Sequence, residues 1–220
     1  MAKYLNTDLI FKDRTDAGNQ LANKLSSYKS RDSIVIGLPR GGVAVAKPIA
    51  KVLDSKLDII VSKKIGAPNN PELAIGAVTS YGDYVISSYV DYELGEQKWD
   101  YLQKQIVYLV KDCQEREKKY LSSRDAPVEC LSYKNRNIIL VDDGTATGMT
   151  ALAAIKSIKK QNPNFIILAI PVISSQAYEE IVNLVDKVET LKIPREFGAV
   201  GVHYENFEPV TDDEIKKMLV

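Results

Sequence analysis

The sequence predicts an α/β fold in which helices cover both faces of a mostly parallel central sheet. Short apolar runs typical of buried strands alternate with longer segments of helical periodicity, and turns rich in Gly and Pro separate them. Strands that alternate with helices form βαβ units, in which the strands are parallel and each crossover helix packs on the sheet. The length of 220 residues suits one domain, and residues 1–220 are expected to form it.

Periodicity and turn residues define the elements of the first half of the chain. A period near 3.6 residues predicts a helix, and a short unbroken apolar run predicts a buried strand. The predicted elements are a helix over Asp13–Tyr28, a strand over Ser33–Leu38, a helix over Val43–Leu53 and a strand over Leu57–Val61. A loop with Gly66, Pro68, Asn69, Asn70 and Pro71 is predicted next, followed by a hairpin of the strands Ala74–Ser80 and Tyr84–Ser87.

A long helix, from about Asp91 to Leu121, is predicted to open the second half. Its apolar residues Trp99, Leu102, Ile106, Leu109 and Cys113 are spaced by three and four and form one stripe. We expect this stripe to pack on the core of the domain. The alternative is that part of it contacts a partner subunit.

The last third of the chain again alternates strands with helices. The predicted elements are a strand over Asn137–Val141, a polar loop over Asp142–Thr150, a helix over Ala151–Lys160 and a strand over Phe165–Ile170. A helix over Ser174–Leu184 and a strand over Lys187–Leu191 follow. A short final helix is predicted after Thr211, because Thr211 and Glu214 have the spacing of a capping box.

Composition narrows the functional classes. The chain is 45% hydrophobic and 26% charged, as soluble globular proteins are. Lys and Arg together number 29, as do Asp and Glu, so there is no net field to attract nucleic acid and no nucleic-acid partner is expected. No apolar run approaches the roughly 20 residues that a membrane helix needs, so no membrane partner is expected either.

The few Cys and His residues argue against a zinc site. Cys113 and Cys130 follow no metal-ligand spacing, and His203 is the one histidine. Two lone cysteines fit a reducing compartment, and the first residues lack the apolar core of an export signal. We therefore expect a cytoplasmic protein.

The loop after the strand Asn137–Val141 carries the strongest functional pattern. Asp142 and Asp143 stand together where the strand ends, and Gly144–Thr150 supplies small and hydroxyl residues that lead into a helix. The backbone N–H groups of such a turn, together with the helix dipole, favour a bound phosphate. Because carboxylates would repel that phosphate, we expect the two acids to face sugar hydroxyls or a hydrated metal ion.

This loop resembles the phosphoribosyl-diphosphate (PRPP) motif of type I phosphoribosyltransferases. In that family the paired acids hold the ribose 2′- and 3′-hydroxyls, and the turn holds the 5′-phosphate. The resemblance implies that Asp142 and Asp143 bind ribose and that the 5′-phosphate is held by Gly144, Thr145, Ala146, Thr147, Gly148 and Thr150. The alternative, an acidic loop that caps a helix, does not explain why the acids are adjacent.

One position departs from part of the family. In the 6-oxopurine branch, the third residue after the acid pair is an Asp near the base, whereas this chain has Ala146 there. The loop therefore resembles the adenine and orotate branches. The general base of the oxopurine branch is missing, so proton handling comes from elsewhere or is unnecessary.

The loop after the first strand matches the position of the family's pyrophosphate loop. Two glycines let the backbone approach an anion closely, and an arginine can fork onto phosphate oxygens. The resemblance implies that pyrophosphate binds Pro39, Arg40, Gly41, Gly42 and Lys64. A cis peptide is common in this loop of the family, and we expect one near Pro39-Arg40.

Lys63 and Lys64 follow the second strand, where the family keeps a basic or flexible loop that closes over pyrophosphate. Lys64 stands directly before Ile65-Gly66-Ala67-Pro68 and is the better candidate. With Arg40 it is expected to act in catalysis. The alternative is a pair of solvated lysines at the end of a strand.

Family members use N- and C-terminal segments as a small hood over the acceptor, which implies a hood made of residues 1–14 and 193–210. The candidates for the acceptor site are Arg14, Arg195 and Phe197: Phe197 could stack on a base, and Arg14 or Arg195 could reach a phosphate. The alternative is that Phe197, Tyr204 and Phe207 form a small satellite core. His203 is expected to be structural or exposed to solvent.

The resemblance implies a pentosyltransferase that moves the phosphoribosyl group of PRPP to an acceptor, expected to be a nucleobase, and that works as a homodimer. Mg²⁺ is the expected cofactor; it would bridge pyrophosphate and ribose oxygens and touch Asp142 and Asp143 at most through water. One alternative is a PRPP-sensing regulator without catalysis. Another is an aspartyl-phosphate phosphatase, but that chemistry expects two acids separated by one residue.

Overall fold

The computed structural model describes residues 4–29, 32–88, 90, 98–122 and 131–220. Within these ranges helices and strands alternate as the apolar pattern predicts. The first half contains α1 (Arg14–Lys24), β1 (Ser33–Gly37), α2 (Gly41–Leu53), β2 (Lys56–Ile59), β3 (Ser62–Ala67), β4 (Asn70–Thr79) and β5 (Tyr84–Ile86). The second half contains α3 (Lys98–Leu121), β6 (Asn137–Val141), α4 (Met149–Lys159), β7 (Phe165–Val172), α5 (Ser175–Ile181), β8 (Lys187–Lys192) and α6 (Asp212–Met218).

Five of the strands form a parallel central sheet in the order β2-β1-β6-β7-β8. The order places β1 and β6 side by side at the centre, although about 100 residues separate them in the chain. Gly37, the last residue of β1, lies opposite Val141, the last residue of β6. The loops that follow these two strands therefore leave the sheet at the same level.

Alternation along β1 shows how the sheet acquires helices on both faces. Val35 packs on one face with Leu21 of α1 and Ile49 of α2. Ile36 packs on the opposite face with Ile155 of α4. Each of these side chains is almost fully buried, and burial of one such side chain stabilises a fold by about 1.5–3 kcal/mol. The predicted α/β class is confirmed.

A second sheet, antiparallel and in the order β3-β4-β5, packs with α3 and α6 around a separate apolar cluster. The sequence predicted a loop around Gly66 to Pro71, and this prediction was wrong. The turn consists of Pro68 and Asn69 alone, because β3 continues to Ala67 and β4 begins at Asn70. Register shifts around Gly66 accommodate the glycine and the proline, which are residues that favour bulges.

The stripe on α3 mostly packs on the core of the same chain. Leu102 and Cys113 are buried, and Ile106 and Leu109 are half-buried against the same cluster. Trp99, at the start of the stripe, is 55% exposed. The predicted start of this helix, residues 91–97, lies outside the described residues, as does Cys130. Within the described ranges, no helix has the length and apolar composition that crossing a membrane requires.

Helices α1 and α2 pack closely because a glycine lies at their contact. A Cβ added to Gly18 would lie 2.4 Å from the carbonyl oxygen of Val45 and 2.5 Å from Cγ of Pro48. No carbon atom fits at such a distance. The side-chain-free position therefore sets how closely the two helices approach, and with it the relative placement of their first residues, Arg14 and Gly41.

Replacing Gly18 with Ala is expected to destabilise the fold by about 1–3 kcal/mol, the usual cost of overpacking a close contact. Chemical denaturation of G18A and the wild type measures this difference. The matched control is N19A, because Asn19 is the next residue on the same helix and is exposed. An equal midpoint for G18A and N19A would contradict the packing role of Gly18.

Candidate functional site

Two loops meet at the carboxyl edge of the central sheet, where open α/β folds bind their ligands. The backbone N–H of Leu38 donates to the carbonyl oxygen of Val141 at 2.9 Å, which joins the loop after β1 to the end of β6. Gly41 then lies against Asp143, since a Cβ on Gly41 would fall 1.8 Å from Asp143 Oδ2. The structure thus brings the predicted pyrophosphate loop and the predicted acid pair into contact.

The first loop has the predicted backbone geometry. The peptide bond between Pro39 and Arg40 is cis, as the resemblance implied. Arg40 is exposed at the start of α2. The pKa of Asp212 at the start of α6 is lowered mainly by hydrogen bonds from Lys119 and Tyr120, and the charge of Arg40 adds to this effect. Arg40 therefore lies within electrostatic reach of α6.

The acid pair is held in a largely desolvated position. Asp142 Oδ1 accepts the backbone N–H of Asp143 at 2.9 Å, and Asp143 Oδ2 accepts Nε of Arg14 at 2.7 Å. Burial raises the pKa of Asp142 well above its usual value, and the neighbouring Asp143 raises it further, against the opposing charges of Lys64 and Arg14. Burial also raises the pKa of Asp143, and Arg14 opposes that shift. The site therefore favours bound groups that stabilise two ionised carboxylates.

The turn after the acids is built for an anion. Thr145 closes it, because its hydroxyl accepts the N–H of Gly148 at 2.9 Å and its own N–H donates to Val172 at 3.1 Å. Gly148 precedes α4 and provides no side-chain cap for the first-turn amides. The hydroxyl of Thr147 is buried and has no hydrogen-bond partner among the described residues. An unpartnered buried hydroxyl beside uncapped helix amides fits a phosphate oxygen.

The other residues of the turn are held by its surroundings. Ala146 is exposed, and its carbonyl oxygen accepts the hydroxyl of Ser174 at 2.5 Å. Ser174 also caps α5 by accepting the N–H of Ala177. The carbonyl oxygen of Thr150 accepts the hydroxyl of Ser62 at 3.3 Å, which ties α4 to β3. The bracing role of Ser174 had no signal in the sequence beyond its place at the start of a predicted helix.

The two neighbouring lysines lie on a strand and point in different directions. Both are on β3, and successive side chains of a strand point to opposite faces. Lys63 forms an ion pair with Asp112 of α3, with Nζ and Oδ2 2.5 Å apart. Lys64 is exposed, and its charge lowers the pKa of Asp142. Of the two lysines, only Lys64 is thus placed toward the acid pair.

The two terminal segments that were expected to form the hood pack against each other. Leu5 pairs with Ile193, and Phe11 pairs with Tyr204. Arg14 extends from this region to Asp143, and its guanidinium lies 3.7 Å from the ring centre of Phe207. The sequence assigned Arg14 to the acceptor, whereas its contacts place it beside the second acid.

The remaining hood candidates lie elsewhere. Arg195 is 5.9 Å above the ring of Tyr4. Phe197 is half-buried and stacks edge-on with His203 at 5.2 Å, and its carbonyl oxygen lies 2.9 Å from Nε2 of that histidine. His203 is buried, which lowers its pKa and agrees with the structural role expected for it.

Tyr204 makes a contact that the sequence did not predict. Its hydroxyl donates to the carbonyl oxygen of Asp143 at 2.5 Å, and its ring lies 5.0 Å from that of Phe207. The sequence offered a small satellite core as one role for Phe197, Tyr204 and Phe207, and these rings do pack on the main core cluster. Tyr204 also braces the acid pair, and no spacing in the chain signals a contact between residues 61 apart.

Comparisons with known proteins identify the family of this chain. A family model described as the phosphoribosyl transferase domain matches residues 9–206. The chain is 36% identical over 213 residues to "Putative phosphoribosyl transferase Rv0571c" of Mycobacterium tuberculosis (strain ATCC 25618 / H37Rv), and equally to MT0597 of strain CDC 1551 / Oshkosh. These alignments cover 96% of this chain but 46% of either relative, so the chain spans about half their length.

A solved structure has a similar fold along nearly the whole chain. The protein TT1426 from Thermus thermophilus matches with a TM-score of 0.78 and 34% sequence identity. The match covers 96% of this chain and 98% of that one. The similarity therefore extends through both terminal segments as well as the central sheet.

Replacing Asp142 with Asn is expected to raise the melting temperature of the ligand-free protein at pH 7. A carboxyl whose folded pKa is raised binds protons more readily in the folded state, so its contribution to stability is lost as pH rises through the folded pKa. Asn keeps the oxygen that accepts the N–H of Asp143 and removes the buried charge. The gain should shrink as the pH falls through the raised folded pKa, because the wild-type carboxyl then binds a proton.

Thermal unfolding across that pH range measures the effect. The matched control is D213N, because the side chain of Asp213 is 85% exposed and its pairing with Lys216 is weak, at 3.7 Å. A lower melting temperature for D142N than for the wild type at pH 7 would contradict the cost of burying this charge.

Proposed function

The chain belongs to the phosphoribosyl transferase domain family, and from this premise we propose that it transfers the 5-phosphoribosyl group of PRPP to a nucleobase-like acceptor and releases pyrophosphate. One observation carries the proposal. Two adjacent half-buried carboxylates, Asp142 and Asp143, directly precede a turn whose Thr147 hydroxyl is buried without a partner among the described residues. A ligand with a diol and a phosphate on one sugar satisfies both features.

The sugar and its phosphate would divide between the two parts of this loop. Asp142 and Asp143 accept hydrogen bonds from the ribose hydroxyls, which compensates their desolvation. The 5′-phosphate takes the backbone N–H groups of the turn and the first turn of α4. The residues proposed for this phosphate are Gly144, Thr145, Ala146, Thr147, Gly148 and Thr150.

The leaving group would lie between the loop after β1 and β3. The residues proposed for pyrophosphate are Pro39, Arg40, Gly41, Gly42 and Lys64. As the bond from the acceptor nitrogen to C1 forms, the bond from C1 to the pyrophosphate oxygen breaks, and its electron pair leaves with pyrophosphate. The proton of the acceptor nitrogen passes to the released pyrophosphate or to water. The transition state resembles an oxocarbenium ion, as in glycoside hydrolysis. Arg40 and Lys64 would stabilise the charge that develops on the leaving group.

Mg²⁺ is proposed to enter with PRPP rather than to reside in the protein. No group of three or more His, Cys, Asp or Glu side chains that could hold a metal ion occurs in the part of the chain that the structure describes. Two carboxylates suit an ion that keeps most of its waters, so Asp142 and Asp143 would contact it through water. The chemistry that Mg²⁺ supplies is neutralisation of diphosphate charge.

The acceptor is the least constrained part of the proposal. Phe197, Arg195 and Arg14 were the candidates, and their contacts place Phe197 against His203 and Arg14 beside Asp143. The position that carries an Asp in the oxopurine branch is Ala146, so no carboxylate is offered to the base from there. We further propose a homodimer without a nucleic-acid partner, which sedimentation would test.

A pyrophosphate-release assay with PRPP, Mg²⁺ and a panel of purine and pyrimidine bases tests the function. Release with one base and none without it is the expected outcome, and the double variant D142N/D143N should lose both release and PRPP binding. PRPP binding without release across the panel would favour the PRPP-sensing alternative. PRPP binding by the double variant as tight as that of the wild type would reject the site.

Lys64 and Lys63 provide a matched pair for the leaving-group role. K64A is expected to lower kcat/KM for PRPP by about ten- to hundredfold, the usual effect of losing one charged hydrogen bond in a transition state. K63A should have a much smaller effect, because Lys63 contacts Asp112 of α3. Steady-state kinetics measures both, and equal losses for the two variants would contradict the assignment of Lys64.

A further inference from the structure

We propose that Arg14 is a positioning residue for the donor, which acts through Asp143 and makes PRPP affinity depend on contacts between the two terminal segments of the chain. The proposal rests on the proposed function, because it assumes that Asp143 binds the sugar diol. The observation that supports it is different from the one that supports the proposed function: the guanidinium of Arg14 bridges the acid pair and the C-terminal segment.

Arg14 holds one oxygen of Asp143 with a fixed geometry. Its Nε donates to Asp143 Oδ2 at 2.7 Å, and its Nη1 donates to the carbonyl oxygen of Glu208 at 2.8 Å. The guanidinium is planar, so two acceptors in different segments fix its orientation. Oδ2 accepts this bond and lies against Gly41, so we expect Oδ1 to be the oxygen that accepts a sugar hydroxyl. A carboxylate with one oxygen fixed presents the other in one direction.

Aromatic packing holds the guanidinium in place from the other side. Phe207 lies 3.7 Å beneath Arg14, Tyr204 stacks on Phe207, and Phe11 stacks on Tyr204 at 5.2 Å. The hydroxyl of Tyr204 donates to the backbone carbonyl of Asp143. The C-terminal segment is therefore linked to Asp143 in two ways. Tyr204 contacts the backbone of Asp143 directly, and Arg14 connects the segment to the side chain of Asp143.

The start of α2 completes the arrangement. A Cβ on Gly41 would lie 1.8 Å from Asp143 Oδ2 and 2.8 Å from Nε of Arg14, so this ion pair lies directly on the proposed pyrophosphate loop. Arg14 and Gly41 are the first residues of α1 and α2, whose close packing at Gly18 sets their separation. Only 12% of the Arg14 side chain is exposed. The packing of the two helices therefore fixes the position of this ion pair, unlike that of an ion pair on the protein surface.

Charge explains why a cation is needed at this point. Asp142 and Asp143 are adjacent and largely desolvated, and the charge of Asp143 adds to the effect of burial in raising the pKa of Asp142. A sugar hydroxyl donates its hydrogen bond best to an ionised carboxylate. The guanidinium of Arg14 is the cation placed to oppose the effect of burial on the pKa of Asp143, because it donates a hydrogen bond to that carboxylate.

Calorimetric titration of PRPP with Mg²⁺ into wild type, R14Q, D143N and R14Q/D143N tests this inference. R14Q is expected to bind PRPP about ten- to hundredfold more weakly than wild type, as for the loss of one charged hydrogen bond. In the D143N background, R14Q should change the affinity little, because the interaction through which Arg14 acts is already lost. R14K should recover part of the affinity, since an ammonium reaches Asp143 but cannot also fork to Glu208.

The control is K24Q, which removes a cation from the opposite end of the same helix, where Lys24 contacts Glu189 and Thr190. It should bind PRPP as the wild type does. Circular dichroism and thermal unfolding of every variant separate binding from folding. If R14Q does not fold, R14K replaces it in the cycle with D143N and is expected to bind severalfold more weakly than wild type.

Two outcomes overturn the inference while leaving the proposed function intact. Wild-type affinity in the Arg14 variant would show that Asp143 needs no positioning. Equal losses with and without Asp143 would show that Arg14 acts by another route. Wild type that fails to bind PRPP at all would reject the proposed function and, with it, this role for Arg14.

Discussion

The register between β1 and β6 is the constraint on which the site depends. Gly37 and Val141 lie opposite each other, and the N–H of Leu38 continues the pairing to Val141. The loop after β1 and the acid loop are therefore neighbours although about 100 residues separate them. A slip of one residue would turn every side chain of the strand to the other face and separate Gly41 from Asp143. Both faces of the sheet are buried, which makes such a slip costly.

Ionising the acid pair lowers the stability of the fold, and nearby cations reduce this cost. Burial raises the free energy of ionising both carboxyls, and the charge of Asp143 adds to that cost for Asp142. Arg14 and Lys64 reduce that cost without removing it. The donor proposed for this site would supply hydrogen bonds that offset the remaining cost, as expected where stability is exchanged for binding.

The sequence was informative where local patterns decide the structure. Apolar runs predicted the strands of the central sheet, and the capping box at Thr211 predicted the final helix, which begins at Asp212. The hairpin between β3 and β4 was missed, because Gly66, Pro68 and Pro71 are the residues that normally mark a loop. Its strands are held by pairing and by burial of Ile65 and Ile75, which are tertiary effects that no local pattern contains.

The same distinction applies within the site. Adjacent acids before a Gly/Thr turn are a local motif, and so are the two glycines after Arg40. The roles of Arg14, Tyr204 and Phe207 depend on contacts between the ends of the chain, which only the fold creates. Strand β3 gives a further example, because Lys63 and Lys64 have similar sequence contexts. Side chains alternate along a strand, so Lys63 contacts α3 and the charge of Lys64 acts on Asp142. The residues proposed to bind the donor can therefore be found from a motif, whereas the contacts that hold them follow from the topology.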